Sequence, residues 1–176
     1  FRAIGLELRG QVHNKMWETI WDKAFGIASL LLALFFGIAL GNIVRGVNLG
    51  NVANGVSTQE AHYFFLPLLN STFSPQTEQL GVIDLFTLLL GVIGVVALTI
   101  HGANWIIFKT NSDLNQKLKN VVFKLNFVLL VLVIISLLIW HIIDPQPFHN
   151  FIKHPWLWIF PIITFSGLFG LFKISI

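Results

Sequence analysis

Cysteine is absent from this 176-residue chain, which excludes disulfides, thiolate metal sites and cysteine nucleophiles. Charge is scarce. Asp, Glu, Lys and Arg make up 11% of the residues against 55% hydrophobic, and 17 residues are Phe. A soluble monomer of this size needs a charged coat that such a composition cannot supply. Methionine occurs once, as Met16, and no phosphate loop, nucleophilic triad or metal-hydrolase motif is present. The formal charge of +3 does not imply nucleic acid, because the cations form no patch interleaved with aromatics and gather instead beside apolar runs.

Those runs dominate the chain. Residues 24–44, 85–108, 125–143 and 156–172 contain no Asp, Glu, Lys or Arg, and each is close to the roughly 20 residues that cross ~30 Å of hydrocarbon at ~1.5 Å per residue. The fold class predicted is an all-α membrane protein, a bundle of about four transmembrane helices at approximately 24–44, 81–108, 121–143 and 156–176, forming one domain over 1–176. Trp17, Trp21, Trp105, Trp140, Trp156 and Trp158 fall near the ends of these runs, as an interfacial aromatic belt requires. Gly37 and Gly41 form GxxxG, with Gly91 and Gly94 in the next run, so close helix packing is expected there.

The distribution of cations sets the topology. Arg2, Arg9, Lys15 and Lys23 precede the first run, and Lys109, Lys117, Lys119 and Lys124 lie between the second and third. The connection over 47–80 has neither Lys nor Arg, Arg45 sits just inside a helix end, and 144–155 has only Lys153. Cytoplasmic segments carry the excess of Lys and Arg, so both ends of the chain are expected to face the cytoplasm in a multi-pass protein. The first residue is Phe, directly before Arg2, which predicts that the chain is an internal piece of a larger helical subunit.

Histidines are the first candidates for chemistry, because membrane helices often hold haem through them. His101 is about 10 Å deep from the inner end of its run, whereas His141 is near the outer end of the next, so one iron cannot take both. His141, His149 and His154 are irregularly spaced, with only Asp144 beside them, and read more readily as interfacial hydrogen-bonding groups than as a metal site. No catalytic residue and no metal ligand is assigned. Charges near hydrocarbon matter more, since each costs about 2.5–3.5 kcal/mol on insertion scales. Arg2, Glu7 and Arg9 form either a charge pair at the membrane edge or a proton path at a cytoplasmic inlet. Asp84 opens the second run and is expected to cap its helix. His101 and Asn104 share a helix face and suit an intramembrane polar contact with another helix, a quinone or a proton path.

Several segments resemble subunit II of the cytochrome bd quinol oxidases. They are Phe1-Arg2-Ala3, Glu7-Leu8-Arg9, Trp21-Asp22, the stretch Phe36-Gly37-Ile38-Ala39-Leu40-Gly41-Asn42 with Arg45-Gly46-Val47, and His101-Gly102-Ala103 with Lys109-Thr110. Beyond Trp140 the likeness is general hydrophobicity. The resemblance implies a haem-free subunit II that supports a larger, haem-bearing subunit I. The complex would oxidise quinol and reduce oxygen to water in the bacterial cytoplasmic (inner) membrane. It further implies haems in the partner subunit, none held by this chain, and leaves a quinone bound here open. Quinol, subunit I and the lipid bilayer are then the partners, with no nucleic acid. Two features depart from the pattern: the Asn-rich outer connection is long, and Asp84-Leu85-Phe86-Thr87 stands where a Pro-Phe pair is expected. The alternative, a fragment of a secondary transporter, calls for a broken helix pair or a mid-depth charge that the sequence lacks.

Overall fold

The structure, a computed structural model, describes residues 2–11, 14–46, 52–53, 56–57, 68–69, 72–75, 80–110 and 114–175. Among the described residues, six helices run in chain order: α1 Arg2–Arg9, α2 Lys15–Arg45, α3 Leu85–Lys109, α4 Leu114–Ile143, α5 Gln146–Lys153 and α6 Ile159–Ser175, with a 3-10 turn Pro155–Trp158 leading into α6. The all-α membrane class is thereby met. Among the described residues, three helices, over Met16–Arg45, Leu85–Lys109 and Leu114–Ile143, are long and apolar enough to cross a bilayer, and a shorter apolar helical stretch covers Pro155–Gly170. In the α2–α3 connection, the two-residue strands β1 Val52–Ala53 and β2 Val56–Ser57 pair antiparallel.

The helix ends follow from local chemistry. α2 starts at Lys15 rather than at 24 because the Asn14 side chain accepts from the Met16 N–H at 3.0 Å, satisfying an otherwise unpaired donor and extending the helix through Trp17, Glu18 and Lys23. It stops at Gly46, whose φ of 97° suits glycine and whose N–H donates to the Asn42 carbonyl at 2.9 Å. α3 starts at Leu85, behind a capping box: the Thr87 N–H donates to Asp84 Oδ1 at 2.8 Å and the Asp84 N–H donates to Thr87 Oγ1 at 2.9 Å. α4 begins at Leu114, earlier than its apolar run suggests, and its first turns are polar and lysine-rich.

α3 is the central element, packed against α2 on one side and α4 on the other, while α1 lies on α2 and α6 touches α4. Glycines set the α2–α3 approach. A Cβ built on Gly37 would stand 2.6 Å from the Leu90 carbonyl oxygen and 2.8 Å from Gly91 Cα, so only glycine lets these backbones come so close. Gly41 meets Thr87 in the same way, with a built Cβ 3.0 Å from its Cα. On the other side Ile100, Val122 and Leu129 form the centre of an apolar cluster that Val96, Ile107 and Leu168 complete. Much of the remaining helix surface is apolar and exposed, Phe36, Phe127 and Phe160 among it, which is the surface a hydrocarbon solvent requires.

Candidate functional site: polar clusters at two ends of the bundle

The first cluster sits where α2 ends and α3 begins. Arg45 and Asp84 form an ion pair whose side chains are only 2% and 0% exposed. Arg45 Nη2 also donates to Asn42 Oδ1 at 2.7 Å and to the Gly81 carbonyl at 2.9 Å, and its Nε reaches the Gly46 carbonyl at 3.3 Å. Asn42 Nδ2 in turn donates to the Ile38 carbonyl at 2.9 Å and the Val82 carbonyl at 2.8 Å. The carboxylate of Asp84 divides its work: Oδ1 caps the Thr87 N–H and Oδ2 faces Arg45 Nη1. Both charges also suit their helices, a cation in the last turn of α2 and an anion at the start of α3. Desolvating one charge alone is expensive, and the pairing with its hydrogen bonds is what makes this burial tolerable.

The second cluster lies at the start of α2. Arg9 Nε meets Asp22 Oδ1 at 2.8 Å, with both side chains about half exposed. Trp17 Nε1 donates to the Leu8 carbonyl at 2.8 Å, and Gly5 is buried against Trp21 and Phe25. These contacts dock α1 onto α2. An ion pair so exposed contributes about 0–1 kcal/mol, so the indole bond and the Gly5 contact carry more of the docking.

Of the residues singled out in the sequence, Glu7 is exposed on α1, and the Arg2 side chain lies outside the described residues. Arg9 is joined to Asp22 rather than to Glu7. His101 is exposed and Asn104 half-buried on α3. His141 stacks edge-on to Phe148 of α5 with ring centres 4.7 Å apart, which places it at the α4–α5 corner. Along the antiparallel α3–α4 pair, His101 is roughly 12 Å and His141 roughly 40 Å from the connecting turn at ~1.5 Å per residue. They lie at opposite levels of the bundle. Asp84 caps α3 as its position suggested, but its union with Arg45 was not foreseen. The available signal was a solitary cation at the end of one run and a solitary carboxylate at the start of the next.

Long apolar helices, a glycine-mediated helix contact and a buried ion pair where two helices meet define a multi-pass α-helical membrane protein. The sequence profile of the cytochrome bd terminal oxidase subunit II family matches residues 1–175, and the chain belongs to that family. A probable cytochrome oxidase subunit 2 of Haemophilus influenzae is 28% identical over 189 residues, taking in 93% of this chain and 46% of the relative. The cytochrome bd-I ubiquinol oxidase subunit 2 of Escherichia coli (strain K12) is 28% identical over 117 residues, 66% of this chain and 27% of the relative. The chain thus spans less than half the length of these relatives. No solved structure matches it.

Proposed function

We propose that this chain is part of a haem-free subunit II of a quinol:oxygen oxidoreductase in a bacterial cytoplasmic membrane, where it supports a haem-bearing subunit I. The observation that carries this reading is the family match over residues 1–175. The name of the E. coli relative specifies a ubiquinol oxidase, which supports quinol as the substrate of the complex. Haem does not fit the His101–His141 pair, because its members are separated by roughly 28 Å along adjacent helices, and no step is assigned to that pair. The chain contributes the packed α2–α3–α4 scaffold, with the Arg45 and Asp84 charges neutralised where α2 ends and α3 begins, against which a catalytic subunit can dock.

The same reading gives Glu7 a role as a proton-accepting carboxylate at a cytoplasmic inlet. It is exposed on α1, two positions from the Arg9–Asp22 pair, and the surrounding excess of Lys and Arg supports a cytoplasmic location. A titratable group in this place takes a proton from water and passes it inward, and Arg9, already committed to Asp22, does not hold it in a fixed pair.

The test is expression of the full-length subunit with its neighbouring subunit, followed by a reduced-minus-oxidised spectrum and oxygen consumption with quinol. Haem signals and quinol-dependent oxygen uptake are expected. A purified assembly with no haem would refute the oxidase reading. In the same preparation Glu7→Gln is expected to lower turnover more than haem content, and Glu7→Asp to recover part of the rate. Unchanged turnover and proton uptake in the assembled Glu7→Gln complex would reject the inlet.

A further inference from the structure

α4 has two unlike faces. Val122, Asn126, Leu129 and Ser136 are buried, on the side that meets α3. Roughly opposite, at helical spacing, Lys117, Val121, Lys124, Val128 and Val131 are all exposed among the described residues, with Phe127 flanking them. This outward face is cationic over its first turns and purely apolar after Lys124.

The position of the change is informative. From 125 to 143 the helix carries no Asp, Glu, Lys or Arg, and this stretch is roughly 28 Å long, close to the ~30 Å of a hydrocarbon core. Lys124 therefore stands at the hydrocarbon boundary, and Lys117 stands about 10 Å further out on the same face. Long lysine stems lie along apolar surface and deliver their ammonium groups to the phosphate level. The start of α4 is also held in place. Asn115 Nδ2 donates to the carbonyls of Ile107 and Thr110, and its Oδ1 accepts from Thr110 Oγ1 at 2.9 Å, so the first turn of α4 is tied to the end of α3. At that end of α3, the Lys109 ammonium lies 5.2 Å from the Trp105 ring centre and 5.5 Å from that of Phe108, both exposed rings. α3 and α4 contain no acidic residue, and the single carboxylate of their connection, Asp113, lies outside the described residues.

We propose that the Lys117–Lys124 face of α4 binds the headgroup of an anionic phospholipid, with the acyl chains lying along Val121, Phe127, Val128 and Val131. The two ammonium groups neutralise the headgroup phosphate, and the apolar stripe directly below them continues along the lipid's own axis. Charge complementarity selects the occupant: two lysines with no carboxylate on their own helix, joined to an apolar face, fit an anionic lipid and give a zwitterionic one little advantage.

The experiment uses the full-length subunit in its assembled complex, in detergent, with phosphatidylglycerol and phosphatidylcholine as separate probes and retained lipid counted by native mass spectrometry. Phosphatidylglycerol is expected to bind in preference to phosphatidylcholine. Each lysine contributes about a fivefold factor near a lipid surface, so Lys117→Gln with Lys124→Gln is expected to weaken phosphatidylglycerol binding about 25-fold. The corresponding double Lys→Arg variant keeps the charge and is expected to retain it. Equal binding of the two lipids by the wild-type complex, or undiminished phosphatidylglycerol binding by the double Gln variant, would overturn the proposal. Loss of subunit assembly in the double Gln variant, whatever the lipid, would also overturn it by marking this face as a protein interface.

Discussion

The Arg45–Asp84 pair yields the most decisive prediction, because both side chains are all but fully withdrawn from solvent. Asp84→Asn keeps a good N-cap for Thr87 and so isolates the loss of charge. It leaves a guanidinium that is 2% exposed without its counter-ion, and breaking a buried pair from one side costs about 3–5 kcal/mol. Arg45→Met strands the carboxylate instead, and it also removes the donor that serves Asn42 Oδ1 and the Gly81 carbonyl. An unpaired buried acceptor costs about 1–3 kcal/mol, so this variant is expected to lose at least as much as Asp84→Asn. In the double variant neither charge remains. What persists is the unsatisfied Asn42 and Gly81 oxygens, so the loss is expected to fall well short of the sum of the two single losses, with a coupling of about 2 kcal/mol. Reversible unfolding of the full-length subunit in mixed micelles measures all three free energies. Additivity within about 0.5 kcal/mol would refute the claim that these two charges stabilise each other.

Three further outcomes are expected. Gly37→Ala forces the α2 and α3 backbones apart, because the new methyl group would meet the Leu90 carbonyl and Gly91 Cα; a loss of about 1–3 kcal/mol or more should appear as a lower thermal midpoint, whereas Gly26→Ala, with open space around it, should leave the midpoint unchanged or slightly raised. Cysteines at Leu68 and Gln116, both exposed, should label from opposite sides of the membrane in the full-length protein, and labelling from one side would contradict the orientation drawn from Lys and Arg. His101→Ala and His141→Ala should each leave the haem content of the assembled complex intact, as read from its reduced-minus-oxidised spectrum; loss of one haem with assembly preserved would make that residue a ligand.

The three long helices were legible because nothing but hydrocarbon explains uncharged runs of that length, and α3 began where Asp84 announced a cap. Their polar extensions were not legible from hydropathy. Residues 15–23 are helical behind the Asn14 cap, residues 114–120 start where Asn115 bonds to the end of α3, and the composition of both stretches alone resembles a loop. The short helix α5 was hidden for the same reason: it contains Pro147, a residue tolerated in a first turn, and its aromatic contacts run to Trp140 and Trp158 outside it. GxxxG did mark a close contact, but the sequence could not say that Gly37 meets Gly91. The two ion pairs show the same limit. Asp84 was visible as a cap and Arg45 as a helix-end cation, yet their union depends on where the long connection between them returns, which no local pattern encodes.

The manner of that return has a consequence for variation. Arg45 and Asn42 hold the carbonyls of Gly81 and Val82, and the Ile83 and Leu85 N–H groups donate to the Leu68 and Phe73 carbonyls, so the return of the α2–α3 connection is fixed jointly by the end of α2 and by the last part of the connection itself. Once the feet of a loop are fixed, doubling its length costs only about 0.6 kcal/mol in closure entropy. An insertion ahead of Leu68 should therefore cost the helix pair beneath little, and a tag placed there should leave the Arg45–Asp84 clasp and the Leu68 and Phe73 bonds in place.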